Sequence, residues 1–133
     1  MRAPPFTAEA GSPRSAPSAA GPRVALYSHD TMGVGHMRRN LLIAQALAAP
    51  PLSASVLLVA GAKEATAFAL PPGVDCLTLP ALYKAVDGHY QSRALGVSMR
   101  ELVGLRGRVI AAALRAFQPD VLVVDKEPRG AVP

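Results

Sequence analysis

Short apolar runs alternate with longer amphipathic stretches along most of the chain. Val24 to Tyr27 is rich in branched and aromatic residues, Ser55 to Ala60 reads SVLLVA, Val74 to Leu79 reads VDCLTL, and Val121 to Val124 is wholly apolar. Runs of this length, bounded by glycine, proline and polar residues, predict buried strands near 24–28, 55–60, 74–79 and 121–125. Helical periodicity fills two of the gaps. From His36 onward Met37, Leu41, Ala44, Leu47 and Ala48 fall on one face, and Pro50-Pro51 cannot continue the pattern. Ser98 and Glu101 form a capping box ahead of a second stripe made by Leu102, Val103, Val109, Ile110, Ala113, Leu114 and Phe117. Gly104 and Gly107 weaken that helix by about 1 kcal/mol each relative to alanine, so a kink or a close backbone approach is expected near Arg106. Arg106 also falls near the apolar stripe and reads as a buried anchor, whereas Arg100, Arg108 and Arg115 read as a solvated face. A shorter helix is expected from Gly61 to about Leu70, before the break at Pro71-Pro72-Gly73. Strands alternating with helices predict an α/β fold, a partial Rossmann-like parallel sheet of four strands with flanking helices.

Two stretches lie outside the pattern. Met1 to Pro22 is rich in Ala, Pro, Ser and Gly and has Phe6 as its only large apolar side chain apart from Met1, so a disordered tail is expected there, with the domain running from residue 23 to 133. It has no continuous apolar segment of the kind a secretory signal needs. Pro80 to Val97 shows no convincing periodicity and reads as a long loop, a length that compact domains seldom carry without use.

The segment between the first strand and the first helix concentrates the polar chemistry. Gly33 and Gly35 allow a tight turn and close approach of backbone to a ligand, and Arg38 and Arg39 add charge beside the positive end of the helix. A loop that leaves the carboxyl end of a strand and opens a helix presents free N–H groups to whatever binds there, and an anion is the natural ligand. The motif GxGHxRR is not the dinucleotide fingerprint, because Arg38 stands where a third glycine is needed and no acidic residue closes the second strand. It is not a Walker loop either, since no Gly-Lys-Ser/Thr follows. No cofactor is therefore expected. Asp125 ends the fourth strand on the same side of the sheet as Gly33 to His36. It reads equally well as a ligand-side carboxylate or as the cap of the following turn.

Composition narrows the classes. The net charge of +5 comes mostly from arginine, which favours phosphate or carboxylate partners. With three Tyr, three Phe and no Trp there is no evident stacking platform for bases, and nucleic acid is not expected as a partner. No apolar run approaches the roughly 18 to 20 residues that span a bilayer. The single Cys76 cannot form an internal disulfide and fits a reducing, cytoplasmic setting; its position in the third strand reads as an inert buried residue. No spacing of His, Cys and carboxylates suits a metal.

YSHDTMGVGHMRRNLLIAQALA from Tyr27, LPALYKAVDGHYQSR from Leu79 and FQPDVLVVDKEPRG from Phe117 together resemble the N-terminal half of predicted glycosyltransferases of the two-domain GT-B fold. That group is related to the lipid-linked N-acetylglucosaminyltransferase of peptidoglycan synthesis, and the resemblance runs from about Arg23 to the end of the chain. It implies a sugar transferase working from a nucleotide-sugar donor onto a sugar or lipid-linked acceptor, and with such an acceptor a peripheral membrane contact. It further implies that this chain is an acceptor-side fragment whose donor-binding domain is absent, inactive alone. Under the resemblance His36 is the GxGH histidine and first candidate for the base, His29 the second and His89 the third. Lys84, Asp87, Gly88 and Tyr90 match a K-x-x-D-G-x-Y segment near the acceptor cleft. Gly33, Gly35, Arg38, Arg39, Lys84, Tyr90 and Asp125 are the expected acceptor- or phosphate-binding residues. Histidine suits proton removal from a hydroxyl because its ordinary pKa lies near working pH; the alternative role for His36 is to cap its helix and orient the glycine loop. Two other readings stand beside the enzyme: a phosphate- or nucleotide-binding module without chemistry, and a nonfunctional remnant.

Overall fold

The computed structural model describes residues 21–29 and 35–125. In chain order they form β1 (Arg23–Ser28), α1 (Gly35–Ala48), β2 (Ser55–Ala60), a single 3₁₀ turn (Lys63–Ala67), β3 (Val74–Thr78), β4 (Leu82–Lys84), β5 (Tyr90–Ser92), α2 (Met99–Phe117) and β6 (Val121–Val124). Gly33 and the sequence expected to be a disordered tail up to residue 20 lie outside the described residues.

β1, β2, β3 and β6 make one parallel sheet in the order β3-β2-β1-β6. The chain winds outward from β1 through β2 to β3 and then returns to place β6 on the other side of β1. This is the α/β architecture and the four-stranded parallel sheet expected from the sequence, with strand limits within a residue of those predicted. Alternation along the strands gives the sheet two faces. Val24 and Leu26, Val56, Leu58 and Ala60, and Val74 point to one side and pack with Met37 and Ala44 of α1, all of them buried. Tyr27 points to the other side, where its hydroxyl accepts a hydrogen bond from Arg106 of α2 at 3.3 Å.

Two expectations need correction. The helix expected from Gly61 to about Leu70 is only the 3₁₀ turn Lys63–Ala67, because Phe68 already has an extended backbone (φ −89°, ψ 136°). The segment Pro80 to Val97 is not an aperiodic loop: β4 and β5 pair antiparallel within it, Leu82 opposite Ser92, Tyr83 opposite Gln91 and Lys84 opposite Tyr90. Gly88, at φ +87°, makes the turn between them. α2 is one continuous helix through Gly104 and Gly107.

The capping box of α2 forms as its sequence predicts: the Glu101 amide donates to the Ser98 side chain, and the Ser98 amide to the Glu101 carboxylate. Arg106 is 6% exposed, an anchor as expected, and donates to the Pro80 carbonyl as well as to Tyr27. Arg100, Arg108 and Arg115 are exposed. Arg106 therefore ties α2 to β1 and to the start of the hairpin segment. At the opposite end of the sheet Arg23 donates to the Phe117 carbonyl at 2.8 Å, and its backbone N–H to Asp120, which fixes the passage from α2 into β6.

Candidate functional site

In an open α/β sheet the chain diverges from a central strand to either side, and a crevice opens outside the carboxyl ends where the winding direction reverses. Here that point lies between β1, which continues toward α1 on one side, and β6, which neighbours it on the other. Asp125 is the residue after β6, and its amide donates to the Tyr27 carbonyl at 3.1 Å, so its backbone stays in step with the end of β1. His36 is the second residue of α1. The fold thus brings together two residues 89 positions apart in the chain.

His36 Nδ1 lies 2.7 Å from Asp125 Oδ2. Arg39, one turn further along α1, donates to Asp125 Oδ1. Asn40 Nδ2 donates to Asp125 Oδ2 at 3.0 Å. Positions i, i+3 and i+4 of a helix share a face, so His36, Arg39 and Asn40 present three side chains to one carboxylate. The Asp125 side chain is 11% exposed, against 30% for His36 and 56% for Arg39. Foremost the Arg39 hydrogen bond, and then those from His36 and Asn40, hold the Asp125 carboxyl down to about 2, against burial, which acts to raise it. Asp125 in turn raises the Arg39 pKa, so both partners are firmly charged.

This ionisation decides the proton on His36. Nδ1 also lies 3.0 Å from an Arg39 NH2 group, but a guanidinium only donates and a carboxylate only accepts. With Asp125 ionised and closer, Nδ1 carries the proton and donates to Asp125, while Arg39 serves the other carboxylate oxygen. In the neutral ring, Nε2 then keeps its lone pair. This is the arrangement in which an imidazole can take a proton from a hydroxyl, oriented from behind by a carboxylate. His36 is the second residue of α1 and its Nδ1 meets Asp125; the loop it was alternatively expected to orient, residues 30–34, lies outside the described residues. The Asp125 side chain contacts α1 through His36, Arg39 and Asn40; the turn it was alternatively expected to cap lies outside the described residues.

The other expected residues are distributed around this centre. Arg38 is exposed and, among the described residues, makes no ion pair or hydrogen bond. At Gly35 an added Cβ would meet nothing within 4 Å among the described residues, so their packing does not demand glycine there. Lys84 and Tyr90 face each other across the hairpin, the ammonium 5.9 Å from the ring centroid. His29 is 5% exposed, and its ring lies tilted by 44° to that of Tyr27, centroids 6.3 Å apart. The His89 side chain is 82% exposed and lies 3.4 Å from Asp87. Cys76 is half-buried, and that burial pushes its thiol pKa up, which suits the inert role expected of it. Among the described residues no cluster of His, Cys and carboxylates is arranged to hold a metal, and no helix is long and apolar enough to cross a membrane.

Sequence reasoning passed over Asn40, which is 1% exposed. Its signal was present: it continues the buried face of Met37 and Ala44 at helical spacing, where an apolar residue is expected. No family model, curated protein or solved structure matches the chain.

Proposed function

We propose that this chain carries the acceptor-side half of a glycosyltransferase, with His36 as the base that removes the proton of the acceptor hydroxyl. The observation that carries the reading is the 2.7 Å contact between His36 Nδ1 and the ionised Asp125, at the crevice where β1 and β6 part. Nε2 accepts the hydroxyl proton as the acceptor oxygen bonds to the anomeric carbon of a nucleotide-sugar. The bond from that carbon to the phosphate oxygen breaks, and its electron pair leaves with the nucleoside diphosphate. Asp125 lies behind the imidazole and stabilises the imidazolium that forms. Arg38, with Lys84 and Tyr90 on the hairpin, supplies charge and a ring face for a phosphorylated or lipid-linked sugar acceptor, whereas the nucleotide-sugar is held by a second domain. The same reading carries a cytoplasmic location and, for a lipid-linked acceptor, contact with a membrane surface.

The rival is a nucleotide- or phosphate-binding module without chemistry, and binding separates the two. Backbone amide shifts of the chain are followed during titration with a panel of glycosyl 1-phosphates and, separately, with UDP-N-acetylglucosamine. The transferase reading expects a glycosyl 1-phosphate to perturb residues around His36, Arg38, Lys84 and Tyr90, with the nucleotide-sugar much weaker. Tight nucleotide binding at Gly35 to Arg39, with every glycosyl phosphate inert, would favour the module. In an enzyme that pairs this unit with its donor domain, His36→Asn should lower kcat by about 10²-fold or more while acceptor affinity changes little.

A further inference from the structure

Asp125 accepts from three side chains, and two of them share one oxygen: His36 Nδ1 at 2.7 Å and Asn40 Nδ2 at 3.0 Å both meet Oδ2. The terminal torsion of a carboxylate is broad, so the direction in which Oδ2 faces must be set from outside. Among the described residues Arg39 and Asn40 are the two groups besides His36 that meet the carboxylate, and they differ in kind. The Arg39 side chain is 56% exposed, where water and salt compete for its charge and a long side chain gives up freedom to stay in place. Asn40 is 1% exposed and sits on a short side chain in the buried stripe between Met37 and Ala44. Its amide has no access to water as an alternative acceptor, and losing the bond would leave a buried donor unsatisfied.

We propose that Asn40 is the positioning residue of the site: by taking one lone pair of Asp125 Oδ2 it turns the other toward His36 Nδ1, and so fixes the imidazole in the tautomer that leaves Nε2 free. The inference rests on the reading of His36 as the base and adds what keeps that base aligned. It assigns Arg39 the lesser share of the alignment, which leaves its exposed guanidinium free to exchange Asp125 for an anionic group without unsettling His36.

The test reads the ring nitrogens of His36 by ¹⁵N NMR in the 133-residue chain, above the pH at which the ring protonates, with the resonance assigned by its loss in His36→Asn. The unaltered chain and Arg39→Gln should each show one tautomer, protonated at Nδ1. Asn40→Leu, which keeps the bulk and removes the donor, should show a mixture with a several-fold larger share protonated at Nε2. An Asn40→Leu chain that is folded and keeps the single tautomer overturns the proposal, as does an Arg39→Gln chain that loses it to the same extent. Should Asn40→Leu fail to fold, the unaltered chain decides: the Asn40 side-chain amide protons should exchange slowly with solvent and shift with the same pH midpoint as His36. Rapid exchange, or no response to the His36 titration, contradicts the assignment. No sugar or nucleotide enters the measurement, so its outcome is separate from that of the transferase reading.

Discussion

Asp125 is the residue on which the charge of the site depends, and its ionisation has a consequence for stability. Its folded pKa is depressed to about 2, so the folded state holds the carboxylate more firmly than the unfolded chain, where it titrates near 4. The resulting stabilisation is fully present above pH ~4 and is lost as the pH falls toward 2. Because Arg39, the largest cause of the shift, is exposed to solvent screening, the contribution is at most about 2 kcal/mol. Urea unfolding between pH 6 and 2 should therefore show a steeper loss of stability for the unaltered chain than for Asp125→Asn. Parallel curves would mean that the carboxylate is no better held folded than unfolded. Glu101 and Asp87, lowered chiefly by hydrogen bonds from Ser98 and His89, are the same in both proteins and cancel in the comparison. Arg106 offers a second test at this scale. Arg106→Met keeps much of the buried stem and removes the donors to Pro80 and Tyr27, and should destabilise by about 1 to 3 kcal/mol in thermal or urea unfolding. His36 and Asp125 were both legible as candidates, because each follows an apolar strand-like run at the end where ligands gather. Their pairing was not legible, since it depends on which strand neighbours β1. Asn40 was missed because its role belongs to the contact and not to its own segment.

Local signals were readable where they were dense enough. The capping box of α2 lies within four residues and formed as expected; Ser98→Ala should lower the unfolding free energy by about 1 kcal/mol. α1 was legible from its stripe, although the buried positions are Met37, Asn40 and Ala44 while Leu42 and Ile43 are exposed. The β4–β5 hairpin escaped notice because three residues per strand are too few for alternation to show, even though Asp87-Gly88 carried a turn signal. Gly88 at φ +87° is a conformation that side chains rarely adopt. Gly88→Ala should strain the turn by roughly 1 kcal/mol and, under the proposed function, weaken acceptor binding through displaced Lys84 and Tyr90. An unchanged affinity for a glycosyl 1-phosphate in Gly88→Ala would remove the hairpin from the acceptor site.

At the scale of the molecule, the number, position and direction of the four parallel strands followed from hydrophobic runs and the alternation with helices. Their order did not, because a run of Val and Leu carries no label for its neighbour. The order β3-β2-β1-β6 is what places a histidine and an aspartate together. It also leaves β6 paired only with β1 among the described residues, with Val121 52% and Leu122 47% exposed. An apolar edge of this kind invites pairing with another strand. Val121→Lys should shift the chain toward monomer in sedimentation, and an unchanged distribution would show that this edge does not drive association. Under the proposed function the sheet presents His36 to the crevice as a base with Nε2 free. The measurement that addresses it most directly is the ¹⁵N spectrum of the His36 ring in the unaltered chain and in Asp125→Asn. The account predicts a single tautomer protonated at Nδ1, lost when Asp125 is neutralised; a ring protonated at Nε2 in the unaltered chain would contradict it.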